Sequence, residues 1–169
     1  MAKTIDPRIA ILLDTIDEAY DCKAWHGPNL LGPLRLIDTT TALFRPQVNR
    51  KCIWEHVLHA AYWKYTIRRR LLGEPKGSFP IAGSNWFARP DPNVHRDDWE
   101  QAWKSDLALL DAVHRTLRSA VESFPADKLD TVVKNGKWTF AQTIRGAALH
   151  DVYHAGQIQL LKKLAQTNE

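Results

Sequence analysis

The sequence predicts an all-α protein, a four-helix bundle with long crossover loops, and three observations lead there. Four stretches repeat apolar residues at three- and four-residue steps, the period of a helix with one buried face. The Gly- and Pro-rich connections after the first and second stretches are too long for a simple up-and-down arrangement. Extended character is confined to Thr131 to Val133.

Each element has its own start and stop signals. Asp6-Pro7 pairs an N-cap residue with Pro at the first helical position, and Ile9, Leu12, Leu13, Ile16, Ala19 and Tyr20 carry the helix to a stop near Trp25. The loop WHGPNLLGPLRLID follows, and Thr39 to Phe44 forms a short helical turn closed by Arg45-Pro46. A second long helix spans Lys51 to Leu72 through Ile53, Val57, Ala60, Ile67 and Leu71, and Gly73 with Pro75 ends it. Residues 73–95 are punctuated by Pro and Gly and make a crossover loop. The third helix runs from Asp97 to Ser123, and the fourth from the N-cap Thr139 to Leu164. At ~1.5 Å per residue these helices have matching lengths of ~30–40 Å. Residues 1–169 read as one domain of this kind.

At 169 residues a single core buries roughly two-thirds of the unfolded chain's surface, so neither metal nor disulfide is needed for folding. A metal site, where present, is then functional. No apolar run approaches the ~18 residues of a membrane span, and no signal-peptide order opens the chain, so the expectation is a cytoplasmic protein with no membrane partner. Cys22 and Cys52 are too isolated for a disulfide framework or a zinc finger. The net charge of +4 is spread along the chain, which argues against a nucleic-acid partner. Arg68, Arg69 and Arg70 read as cations complementing a helix C-terminus. The tryptophans at 54, 63, 99 and 103 read as core.

The chemical signal lies in the histidines, of which the chain has seven. In HDVYH, His150 and His154 stand one turn apart on the same helical face, where two imidazoles converge on one metal ion. Asp151 occupies the Glu position of a zinc-protease HExxH, but it is one methylene short and no third ligand follows at the metzincin spacing. On the second helix, WEHVLHAAYW places His59 beside Cys52 and Trp63 at one edge of the apolar arc and His56 inside it.

These segments, with IWEHVLHAAYWKYTIRRRLLG, the WHGP and SNWF loops and the YHAGQ signature on the last helix, resemble the DinB/YfiT-like superfamily. The resemblance implies a bundle of four main helices and three metal-binding histidines, which fall on His59, His150 and His154. It leaves open whether His56, where the family carries an apolar residue, replaces or supplements His59. It also implies a homodimer.

Three neutral imidazoles leave a divalent ion its charge and an open position, the pattern of catalytic zinc, and nickel accepts the same ligands. The resemblance to the DinB/YfiT-like thiol transferases implies a metal-dependent enzyme activating a low-molecular-weight thiol for S-transfer to a small-molecule substrate. The alternatives are a metal-dependent hydrolase of small esters or amides using activated water, and a non-catalytic metal-binding stress-response protein. Gln157, one turn beyond His154, and His26, on the loop beside Trp25, are the candidates for catalytic support. Glu55, Asp151 and backbone carbonyls are candidates for orienting the imidazoles.

Overall fold

The computed structural model describes residues 5–75, 77 and 79–167. Its helices are α1 (Pro7–Tyr20), α2 (Leu31–Leu34), α3 (Thr39–Leu43), α4 (Ile53–Leu71), α5 (Trp99–Glu122) and α6 (Phe140–Gln166). Among the described residues there is no strand, only isolated bridges between Ala24 and Gly27 and between Val132 and Thr139. The extended character expected at Thr131 to Val133 reduces to the second of these.

The capping signals act as the sequence implies. Asp6 accepts a hydrogen bond from the Arg8 amide at 2.9 Å, with Pro7 opening the helix. Thr139 and Gln142 form a reciprocal capping box, each side chain accepting from the other's amide at 3.2 and 2.9 Å. Glu55 accepts from the Cys52 amide at 3.0 Å at the start of α4, and Gly73, at φ +68°, closes that helix.

Helix α1 stops at Tyr20, short of Trp25. The chain turns back there: the Leu30 amide donates to Ala19 O at 2.9 Å, and Asn29 donates from its side chain to Cys22 O at 2.8 Å. The carbonyls at the helix end are thus satisfied by the returning loop. The same Asn29 accepts from the Gly32 amide at 2.8 Å and organises α2, a turn that periodicity alone does not reveal.

Helix α4 packs on α5 and α6, and α1 packs on the same two helices. One part of the core surrounds Trp54, Leu58, Trp103, Leu110 and Ile158; the other joins Ile16, Leu117, Val121 and Ile144. Trp54 and Trp103 are buried, whereas Trp63 and Trp99 are only half-buried. Both buried indoles are satisfied: Trp54 donates to Asp106 at 2.6 Å and Trp103 to Ile37 O at 3.1 Å. No described helix is long and apolar enough to cross a membrane.

A buried polar cluster crosses this core. The Lys64 ammonium, on α4, donates to Asp151 on α6 and to His114 Nδ1 on α5 at 3.3 Å, and lies 4.8 Å from the Tyr20 ring centre. The Tyr20 ring stacks on His114 at 3.5 Å. Burial pushes the Asp151 carboxyl up, and the Lys64 charge opposes the rise. Burial, reinforced by the Lys64 charge, lowers His114 to about 3. His114 is therefore the neutral acceptor that a buried ammonium needs.

Removing one partner of a buried ion pair strands a desolvated charge, whereas replacing both does not. Lys64→Met should therefore destabilise the fold by about 3–5 kcal/mol in urea unfolding, and Lys64→Met with Asp151→Leu should recover most of that loss. Because His114 stays neutral when folded, the unfolded chain binds one proton more between its ordinary 6.5 and about 3. Stability therefore falls as pH drops through that window, and His114→Gln should flatten the profile by up to ~1.4 kcal/mol per pH unit.

Candidate metal centre

Helices α4 and α6 bring His59, His150 and His154 together, with one ring nitrogen from each lying within 4.8 Å of the others. His59 Nε2 and His154 Nε2 each stand 3.1 Å from His150 Nε2. Their opposite nitrogens are held by the protein. His59 Nδ1–H donates to the Asn85 carbonyl at 2.8 Å, and His154 Nδ1–H donates to Gln157 Oε1 at 2.7 Å. With Nδ1 protonated in both rings, their Nε2 lone pairs point into the shared space.

Burial lowers His59; burial and neighbouring charges lower His150 to about 4 and His154 to about 3. All three are therefore neutral near pH 7, the form that ligates metals. With the His150 proton on Nδ1, all three Nε2 lone pairs face one space, and a cation held there would relieve their repulsion. Two imidazoles on one tetrahedral zinc hold their nitrogens ~3.3 Å apart, close to the spacing seen here. The donor set fits a divalent ion, and no fourth His, Cys, Asp or Glu joins the group among the described residues.

His56 is not part of the convergent set. Its Nδ1 meets His154 Nδ1 at 3.1 Å, on the side of that ring turned away from His150. Because His154 Nδ1 carries the proton, His56 shares it with Gln157 as a second acceptor. Burial lowers His56 to about 4, so it too is neutral. Gln157 thus orients an imidazole. His26 is exposed on the turn closed by the Ala24–Gly27 bridge, and it lines no cleft shared with the three histidines. His95 is likewise exposed, against Asp97.

The carboxylates that the sequence offered as orienting groups serve elsewhere. Glu55 binds Arg45 at 2.5 Å and Lys51 at 3.3 Å, and Asp151 binds Lys64. Burial pushes Glu55 up, but the Arg45 guanidinium, the Cys52 amide and Lys51 hold it below the usual range. The orienting work falls to Asn85, in the left-handed region at φ +66°, where Asn is among the few residues at ease. Asn85 also accepts from the Trp63 indole at 2.9 Å, and its neighbour Trp86 stacks on the His59 ring at 3.9 Å. That Asn next to a loop Ser and Gly was the one local signal for this role.

The loop is pinned over the site by an ionic relay. Arg45 links Glu55 to Arg89 O at 2.7 Å, and Arg89 grips Asp106 at 2.9 Å on the same carboxylate that accepts from Trp54. On the outer side of His59 and His150 lies a cleft of about 610 Å³, with Trp63, Asn85, Trp138, Gln142 and Gly146 among its walls.

A group that orients a ligating imidazole typically contributes a factor of 10–100 in metal affinity. Gln157→Leu should weaken zinc binding by about that factor in competition titration with a chromophoric chelator. Unchanged affinity would remove Gln157 from the site.

A family model described as the DinB superfamily matches residues 25–158, a span that includes His59, His150, His154 and the loop that carries Asn85. No curated protein and no solved structure matches the chain significantly. The family match covers most of the sequence and the whole histidine cluster, and on it the chain belongs to the DinB superfamily.

Proposed function

We propose that the protein is a metal-dependent enzyme in which His59, His150 and His154 hold a divalent ion, zinc in the first instance and nickel as the alternative. The ion would supply Lewis acidity toward a low-molecular-weight thiol, which would be transferred to an electrophilic small molecule. The pairwise packing of the long helices supports reading the scaffold as a four-helix bundle. The observation that carries the functional reading is the join between the three convergent imidazoles and an accessible cleft of about 610 Å³, which has His59 and His150 in its wall. A closed structural site needs no such cleft.

A divalent cation at this position would lower the pKa of a bound thiol and stabilise the thiolate nucleophile. The protein's own residues do the remainder. Asn85 and Gln157 fix the ring tautomers, and Trp86 covers the face of His59. Gln142 and Thr143 offer neutral hydrogen-bonding groups to a substrate in the cleft. The thiol proton leaves to solvent through the cleft mouth, and the sulfur electron pair forms the new bond as the leaving group departs with its own.

Hydrolysis of a small ester or amide by activated water is the second reading. No carboxylate lines the cleft among the described residues, so attack by water would lack the general base that many such sites use. This favours the thiol.

Two experiments test the proposal. Zinc content should drop to background in His59→Ala, His150→Ala and His154→Ala, and full retention in all three would overturn the site. At Gly146, in the cleft lining, a Cβ would meet nothing within 4 Å, so a side chain there starts in open space. Gly146→Phe should keep its zinc while thiol consumption with a generic electrophile falls at least tenfold. Wild-type protein that holds zinc but consumes no thiol above background would remove the transferase reading.

A further inference from the structure

The arginine cluster at the end of α4 divides in two. Arg68 pairs with Glu74 at 2.9 Å, and Arg69 donates to the Glu74 carbonyl at 3.1 Å. The Arg70 side chain, beside them, has no hydrogen bond or ion pair among the described residues, and Arg70 lines the cleft. Across the cleft Arg145, on α6, is equally unpaired. No acidic residue is among the cleft's described lining, so neither guanidinium is neutralised there. Along the helices, Trp63, Ile67 and Leu149 fall between the arginines and the histidines, and Trp138 lies beyond Arg145 in the same lining.

We propose that Arg70 and Arg145 form an oxyanion-recognition subsite, which binds a carboxylate or phosphate on the molecule whose reacting end lies at His59, His150 and His154. The proposal deepens the functional reading above by naming the chemical class of its ligand, and it rests on that reading for the reacting end alone. Two unpaired arginines in the lining of one cleft can offer the paired N–H forks that carboxylate and phosphate oxygens accept. Trp63, Ile67 and Leu149 supply apolar lining for the body of the ligand.

The helices set the scale. Arg70 lies about three turns beyond His59 on the same face of α4, or ~16 Å along the axis; Arg145 precedes His150 by ~8 Å. The ligand is therefore elongated, with its anionic group ~8–16 Å from the reacting end.

The probes are 2-naphthylacetate, its uncharged amide and 2-naphthylmethylphosphonate, each titrated by tryptophan fluorescence against zinc-loaded wild type and against metal-free His150→Ala. Both anions should bind at least tenfold more tightly than the amide, to the metal-free protein as well. The tighter of the two identifies the natural group as carboxylate or phosphate. Arg70→Ala and Arg145→Ala should each reduce anion affinity about fivefold, the double variant should abolish the preference over the amide, and Arg70→Lys should restore part of it. Both residues are exposed and unpaired, so circular dichroism and zinc content should be unchanged. Equal binding of acid and amide to wild type, or a preference that survives in the double variant, would overturn the subsite. A preference that appears only with zinc present would do the same, because the ion would then be the anion's partner. Loss of zinc binding by wild type with the preference intact would instead overturn the metal reading and leave the subsite standing.

Discussion

Three imidazoles from two helices meet at one edge of a cleft, and they do so in only one register of α4 against α6. Sliding either helix by one residue turns its histidines through about 100° and moves them ~1.5 Å along the axis. The Lys64–Asp151 ion pair joins the same two helices beside the site, Asp151 being the neighbour of His150. A slipped register would bury that ammonium and that carboxylate apart, at a cost larger than most single core substitutions. The core tolerates the pair because His114 and Tyr20 give the ammonium two further partners.

The same arrangement governs charge. The buried carboxylates closest in sequence to the histidines, Glu55 and Asp151, are both matched by basic side chains, Glu55 by Arg45 and Lys51, Asp151 by Lys64. Among the described residues no carboxylate joins the three imidazoles, so an ion held there would keep the Lewis acidity that activates a nucleophile. The cleft beyond it carries two unpaired arginines and no acidic residue in its described lining.

Much of this was legible in the sequence where the physics is local. Capping residues and the Gly73 stop set the helices, and the spacing of His150 and His154 placed both on one face of α6. The end of α1 was not legible, since it depends on a hydrogen bond returned from Leu30. Nor does periodicity separate His56 from His59: both are buried, and only the contacts with α6 decide which ring turns its nitrogen toward His150. The orienting groups followed the same rule. Glu55 and Asp151 looked suitable by proximity along the chain, yet each is drawn to a cation, while a loop carbonyl and a glutamine hold the imidazoles. The division of Arg68, Arg69 and Arg70 depends on where Glu74 folds back, which no helical wheel contains.

The central claim, that three histidines hold an ion and leave one position open to a thiol, is tested most directly by X-ray absorption at the zinc edge, before and after addition of 2-mercaptoethanol. The account predicts three imidazole nitrogens at about 2.0–2.1 Å throughout, joined on addition of thiol by one sulfur at about 2.3 Å. A shell already completed by four protein donors, and unchanged by thiol, would contradict it.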